Sequence, residues 1–537
     1  MTNLGAPCDE GVVRGAPPAK ACPPSSRPWV LAATILGSSM AFIDGSVVNV
    51  ALPAIQADVA STLAGLQWVV NGYMLLLGAL ILVGGAAGDR FGRRRIFAIG
   101  IAVFAAASLA CAMAPTLPTL VAARAVQGIG GALLVPSSLS IISASFGPDE
   151  RGRAIGTWAG ASALTTAFGP VLGGWLVDTL SWRVIFLINL PLAAATLVIA
   201  FRHVAESRSP EQGAIDWLGG VFATLGLGAL AYGLTAVSER GWADPLVIAA
   251  MLAGVLILVA FVAVEARASV PMMPLTLFRS RAFSGANGLT LLLYFALSGA
   301  MFLLPFNLIS IQGYSAAAAG AAFLPFTIVM GSLSRWSGGL VDRYGARGPL
   351  VIGPVVTAAG FALLAVPAIG GSYWTTFMPG MLVMGFGMAI SVAPLTTTVM
   401  SAVGDRHAGA ASGVNNAVAR IAGLLAVAAL GAVAVGVFGH ALEAEMAPFG
   451  LPDELRASLL AQAPRLAEAQ VPDAIQGGMR DALERSLAEA FVTSFRVCML
   501  VAAAMALLGA AWAALSIGSK PSPGLGDRAQ APRRARP

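Results

Sequence analysis

Gly85-Ala-Ala-Gly-Asp89-Arg90-Phe-Gly92-Arg93-Arg94 closes one long apolar run, and Gly338-Gly-Leu-Val-Asp342-Arg343-Tyr-Gly345-Ala-Arg347 closes another 253 residues later. In each copy glycines permit a tight reversal, an acid can cap a helix start, and arginines keep the turn in water. Gln127-Gly128-Ile-Gly130 returns as Met384-Gly385-Phe-Gly387, and Gly152 with Gly156 returns as Gly409 with Gly413, both at an offset of 257. Three concordant offsets predict two related halves. Parallel repeats of this kind place a substrate site at their interface, near the bilayer midplane.

Around these turns the chain is built for lipid. Only 11% of its 537 residues are charged and 57% are apolar, with a mean hydropathy of +0.80. An ordinary soluble domain has roughly 25% charged residues. Fourteen apolar runs read as membrane helices, at 29–52, 66–87, 96–114, 119–144, 154–177, 184–202, 216–237, 245–264, 284–308, 318–341, 349–370, 376–399, 408–438 and 489–517. The runs are continuous rather than alternating, which excludes a β-barrel. The expected fold is an all-α polytopic membrane protein: a tail at 1–28, a six-helix half at 29–203, a linker with two extra helices at 204–282, a second half at 283–517 and a basic tail at 518–537. An outer loop at 441–487 interrupts the second half and is net negative.

With the N-terminus inside, the short inward loops hold 14 Arg and the short outward loops only Arg183 and Arg240. The positive-inside rule then puts both termini in the cytoplasm. Residues 1–27 are polar and contain Asp9 and Glu10, so the first run is expected to be an uncleaved helix. The net charge of +6 is spread over short interhelical turns, unlike a nucleic-acid-binding face. The two lysines, Lys20 and Lys520, stand in no phosphate-binding loop. Cys8, Cys22, Cys111 and Cys498 have no metal spacing and read as free thiols, and His203, His407 and His440 fall near helix ends. No cofactor or metal is implied.

Asp44 is the one carboxylate placed deep in an apolar run, roughly 12 Å from the outer end at 1.5 Å per residue. Arg124 enters the fourth run from the same side to roughly 8 Å. An ionised group in lipid is costly unless paired or hydrated, so the two are expected to share a polar network. Asp44 either exchanges protons as access alternates or only hydrogen-bonds a neighbouring helix. Arg420 lies roughly 18 Å into its run, with Asn415 and Asn416 a turn away, and either meets substrate or fixes packing. Asn49, Gln127, Asn415, Asn416 and Arg420 form the candidate cavity set. The fifth run carries Gly156, Gly160, Thr165, Gly169-Pro170 and Gly173-Gly174. Small residues let backbones approach and Pro170 bends the helix, so this stripe is either a hinge or tight packing. The turns at Gly85, Asp89, Arg90, Gly92 and Arg93 and at Gly338, Asp342, Arg343 and Gly345 are candidate gates or topology signals only.

These motifs resemble the fourteen-helix drug:proton antiporter group of the major facilitator superfamily. Asp44-Gly-Ser-Val-Val-Asn-Val-Ala-Leu-Pro53 is similar to its first-helix signature, with Ser46 where Thr is usual. Gly85 to Arg94 resembles the loop between helices 2 and 3, with Ala87 for Leu. Leu120, Arg124, Gln127, Gly128 and Gly130 match the fourth-helix motif, and Gly156 to Gly174 the antiporter motif, with Thr165 in place of a Gly. Trp182 to Pro191 and Ile215-Asp-Trp-Leu-Gly219 are further marks. The resemblance implies rocker-switch export of hydrophobic or amphipathic compounds against proton entry, with Arg124 involved in proton transfer. Its partners would be protons, a small amphipathic substrate and the lipid bilayer. The expectation is therefore a non-enzymatic drug exporter in a bacterial cytoplasmic membrane, monomeric or otherwise. The alternative is an importer or uniporter of the same fold.

Overall fold

The computed structural model describes residues 24–59, 61–208, 215–269, 271–403, 408–473 and 475–518. Most of the two tails, with Cys8, Cys22 and both lysines, lies outside the described residues, as do Arg406 and His407. Among the described residues there are helices and turns but no strand. Lipid offers the backbone no hydrogen-bond partner, so each crossing must satisfy its own backbone groups as a helix.

Fourteen helical segments are long and apolar enough to cross a bilayer: α1 (Arg27–Val59), α2 (Leu63–Phe91), α3 (Arg93–Ala112), α4 (Leu117–Ser145), α5 (Arg153–Thr179), α6 (Val184–His203), α7 (Trp217–Arg240), α8 (Pro245–Glu265), α9 (Arg281–Ile311), α10 (Ala316–Leu333), α11 (Arg347–Leu364), α12 (Phe377–Ser401), α13 (Ala410–Phe449) and α14 (Gly478–Ser516). They form two six-helix halves, α1–α6 and α9–α14, with α7 and α8 inserted between them.

The sequence repeat is a packing repeat. A Cβ on Gly100 would stand 3.0 Å from the Gly130 carbonyl oxygen, and one on Gly353 would stand 3.0 Å from that of Gly387. The glycines thus bring α3 onto α4 and α11 onto α12 at backbone distance. The two reversals also share a conformation. Gly92 has φ +115° and Gly345 has φ +74°, values that L side chains resist.

Two seams join the halves: α2 lies against α13, and α5 against α10. The repeat relates α2 to α10 and α5 to α13, so it exchanges the seams. Helix α7 packs on α2 and α13 through a cluster containing Ala79, Leu227 and Leu424. Helix α8 lies outside it, with only 11% of its most apolar window buried.

The helix ends differ from the apolar runs. Helix α13 continues to Phe449 and α14 begins at Gly478, so the loop expected at 441–487 is shorter and contains a helix at Asp453–Leu460. Hydropathy registers only the lipid-embedded turns, whereas these helices continue as charged, water-facing ones. The run expected at 318–341 is broken after Ala321 and again at Gly339.

Candidate functional site

Asp44 on α1 and Arg124 on α4 form an ion pair with both side chains 1% exposed. The charges need each other because both are almost wholly withdrawn from solvent. One Asp44 oxygen accepts from Arg124 Nη1 and the other from Gln127 Nε2 at 2.8 Å. Arg124 also donates to Gln127 Oε1 at 2.6 Å and, through Nε, to the Val69 carbonyl at 3.1 Å. Its guanidinium lies 4.4 Å from the centroid of the Tyr73 ring, a cation–π contact strengthened by desolvation. Gln127 Nε2 donates to Ser108 Oγ at 2.9 Å, which also accepts from Asn189 Nδ2 at 3.2 Å. The network draws on α1, α2, α3, α4 and α6. Both Asp44 oxygens thus accept a hydrogen bond. A proton added to the oxygen that faces Arg124 would oppose that donor, while the other oxygen could still accept from Gln127.

Between the halves lies a second site, a cavity of about 350 Å³. Phe42, Met74 and Thr166 line it from one half; Tyr294, Ser298, Thr396, Met400, Asn416 and Arg420 line it from the other. Thr396, Met400 and Asn416 are exposed, so the cavity opens toward the face that carries Gly92 and Gly345. On that side α5 and α10 diverge: a Cβ on Gly156, Gly160, Gly331 or Gly338 would touch nothing within 4 Å. The opposite face is sealed. A Cβ on Gly174 would fall 2.1 Å from the Ala316 carbonyl oxygen, and one on Gly320 2.1 Å from that of Pro170. Asp178 of α5 accepts from the amides of Ala316 and Ala317 at 3.0 and 2.7 Å, capping the start of α10 across the seam. Deeper in the other seam, Gln67 of α2 donates to the carbonyls of Val427 and Ala428 of α13.

The candidate residues thus separate into groups. Gln127 belongs to the Asp44 network, and neither it nor half-buried Asn49 lines the cavity. Asn415 lines it, but its amide nitrogen is committed to Asn287 Oδ1 and Thr290 Oγ1 at 3.1 and 2.7 Å, tying α13 to α9. The small-residue stripe of α5 has two edges. Gly169 and Gly173 meet Ser46 and Val47 of α1, and Pro170 and Gly174 meet α10. Thr165 spends its hydroxyl on the carbonyls of Ala161 and Ser162.

In the first reversal, Asp89 does not cap a helix start. It accepts from Arg93 Nε at 2.9 Å, because it sits in the last turn of α2. The start of α3 is capped by Glu206, which takes the amides of Arg94 and Arg95 at 3.0 and 3.1 Å. Arg90 stacks on the neighbouring Phe91 ring. In the second reversal Arg343 is exposed, and the Asp342 side chain lies outside the described residues. Sequence reasoning missed Ser108, Tyr73 and Asp178. A lone hydroxyl or phenol in an apolar run carries no signal, and Asp178 stands in an ordinary helix-end position.

Two six-helix halves around a central cavity, open at one face and closed at the other, define an alternating-access membrane transporter. The chain matches the Major Facilitator Superfamily over residues 34–427 and belongs to it. It is 35% identical to the multidrug resistance protein Stp of Mycobacterium tuberculosis (strain CDC 1551 / Oshkosh), with 80% of each chain covered. It is 33% identical to the tetracenomycin C resistance and export protein of Streptomyces glaucescens, with 79% of each covered. To the methylenomycin A resistance protein of Bacillus subtilis (strain 168) it is 38% identical, over 75% of this chain and 87% of that one. Among solved structures, a bacterial homologue of the human lysosomal transporter Spinster, inward-facing and unoccupied, aligns with a TM-score of 0.61 at 17% identity, covering 94% of this chain and 100% of that one.

Proposed function

We propose that this protein exports small amphipathic compounds, antibiotics among them, from the cytoplasm in exchange for protons. The observation that carries the reading is the Asp44–Arg124 pair, sealed within one half beside a cavity shared by both. The resistance and export roles in the names of its relatives support the direction. The arginine excess supports a cytoplasmic position for the open face, both termini and the two glycine reversals. The chain then lies in the cytoplasmic membrane, facing inward, and moves its cargo chemically unchanged. The two halves end at residues 203 and 517, and residues 204–282 carry the inserted helices.

The cycle follows from the charges. With Asp44 ionised and paired with Arg124, the inward cavity is ready for cargo. A proton reaching Asp44 from outside cancels half of the pair. Arg124 then loses its counter-ion and the α1–α4 contact must rearrange. Proton uptake and release thereby bias the two seams in opposite directions.

The test is drug-driven proton movement in proteoliposomes of known orientation, over a compound panel. Wild type should release protons when drug is added, and Asp44→Asn should bind drug yet move no protons. Full proton-coupled transport by Asp44→Asn would reject Asp44 as the coupling acid. Uptake with the gradient rather than against it would make the protein an importer.

A further inference from the structure

Arg420 stands in the cavity with no carboxylate. Its guanidinium lies 6.0 Å from the centroid of the Phe42 ring, and among the described residues it has neither an ion-pair nor a hydrogen-bond partner. The fully buried cation of the other half, Arg124, is by contrast neutralised by Asp44. The base of Arg420 is packed on α2: a Cβ on Gly78 would come within 3.1 Å of its Cβ. Among the described residues, the cavity wall contains no Asp or Glu. One turn away on the same face of α13, Asn416 is exposed to the cavity and uses its amide nitrogen on the Ser412 carbonyl at 3.1 Å. Phe42, Met74, Val399 and Met400 supply apolar surface beside the charge.

A guanidinium with no counter-ion, partly withdrawn from solvent in the wall of an open cavity, is free to take an anion, and its planar fork suits a carboxylate. The same charge repels a cation. A cavity of about 350 Å³ lies at the small end of ligand sites. We propose that the transported compounds are acidic amphiphiles, whose carboxylate or equivalent anionic oxygen pairs with Arg420 while a compact apolar body lies against Phe42 and the methionines. This assignment of cargo class rests on the exporter reading above. It separates the two charged centres: Asp44 and Arg124 handle the proton in one half, and Arg420 reads the cargo from the other.

Binding is measured on the full chain in phosphatidylcholine nanodiscs, where no lipid carries a net charge to compete. The probes are 2-naphthoate and anthracene-9-carboxylate, each against its methyl ester, with tetraphenylphosphonium as the cation. At least one acid should bind about tenfold tighter than its ester, the range of one charge-assisted pair. Arg420→Gln should erase that preference; Arg420→Lys should retain part of it. Equal binding of every acid and ester to wild type overturns the proposal, as does an acid preference that survives Arg420→Gln. Should Arg420→Gln not give monodisperse protein, Arg420→Lys decides: a reduced preference supports the proposal and an unchanged one overturns it. Binding needs no gradient, so the two readings fail separately. Proton-coupled transport by Asp44→Asn, with Arg420-dependent binding intact, removes the coupling role alone. Absence of an acid preference in wild type, with Asp44-dependent coupling intact, removes the cargo class alone.

Discussion

Asp44 and Arg124 keep their charges in a nearly dry core because each is the other's solvent. Removing one partner leaves a buried charge behind, a cost of about 3–5 kcal/mol. Arg124→Gln should therefore destabilise the protein more than the double variant Asp44→Asn/Arg124→Gln, which leaves no orphan charge. Thermal unfolding of wild type, both single variants and the double variant in the same detergent checks this, and strictly additive losses would show that the residues do not act as a unit. These residues were legible in the sequence because ionisable groups are so rare in apolar runs. Their shell was not. Ser108 and Asn189 meet Gln127 only through the packing of α3 and α6 on α4, and no local pattern encodes that meeting.

At the scale of the element, helix α5 decides which face is closed. Its half on the sealed side touches α10 at backbone distance, and its half on the open side stands clear. A methyl group at Gly174 would fall on the Ala316 carbonyl, which cannot move aside without moving α10. Gly174→Ala should thus open the sealed face, whereas Gly156→Ala, with free space around it, should not. A cysteine placed at Phe42, in the cavity wall, reports the change. Its labelling by an impermeant thiol reagent from the sealed side should rise several-fold in Gly174→Ala and stay at background in Gly156→Ala. Asp178→Ala should act in the same direction more weakly, since it removes a helix cap worth about 0.5–2 kcal/mol. An unchanged labelling rate would mean that the cap does not hold the seam. The glycine spacing of α5 could be read in the sequence, but which edge faces which helix could not. A stripe of small residues specifies closeness, not partner.

For the whole molecule, the repeated turns at Gly92 and Gly345 announced two halves, while the strap that closes them had no repeat to betray it. Residues Ala463–Glu468, in the acidic loop between α13 and α14, bridge the sealed face. The Arg465 carbonyl accepts from Gln56 of α1 at 3.1 Å, and Glu468 accepts from Ser310 of α9 at 3.0 Å. Between them Leu466 is buried at φ 50°, a strained conformation of about 1–3 kcal/mol that the surrounding contacts must hold. Burial raises the Glu468 carboxyl above the ordinary glutamate value of 4.5, and the Ser310 hydroxyl only partly offsets it. The strapped acid therefore holds its proton more tightly than the released one. Its contribution to closure is complete below the ordinary glutamate value and is lost as pH rises through the raised one. Acid on the sealed side should keep the strap shut, and alkali there should loosen it. Glu468→Gln, which cannot ionise, should keep the seal closed across the same range. Spin-label distances between α1 and the strap, followed from pH 4 to 8, check this: a pH-dependent distance in wild type that disappears in Glu468→Gln is the expected result. A wild-type distance that does not change with pH would remove Glu468 from the gate.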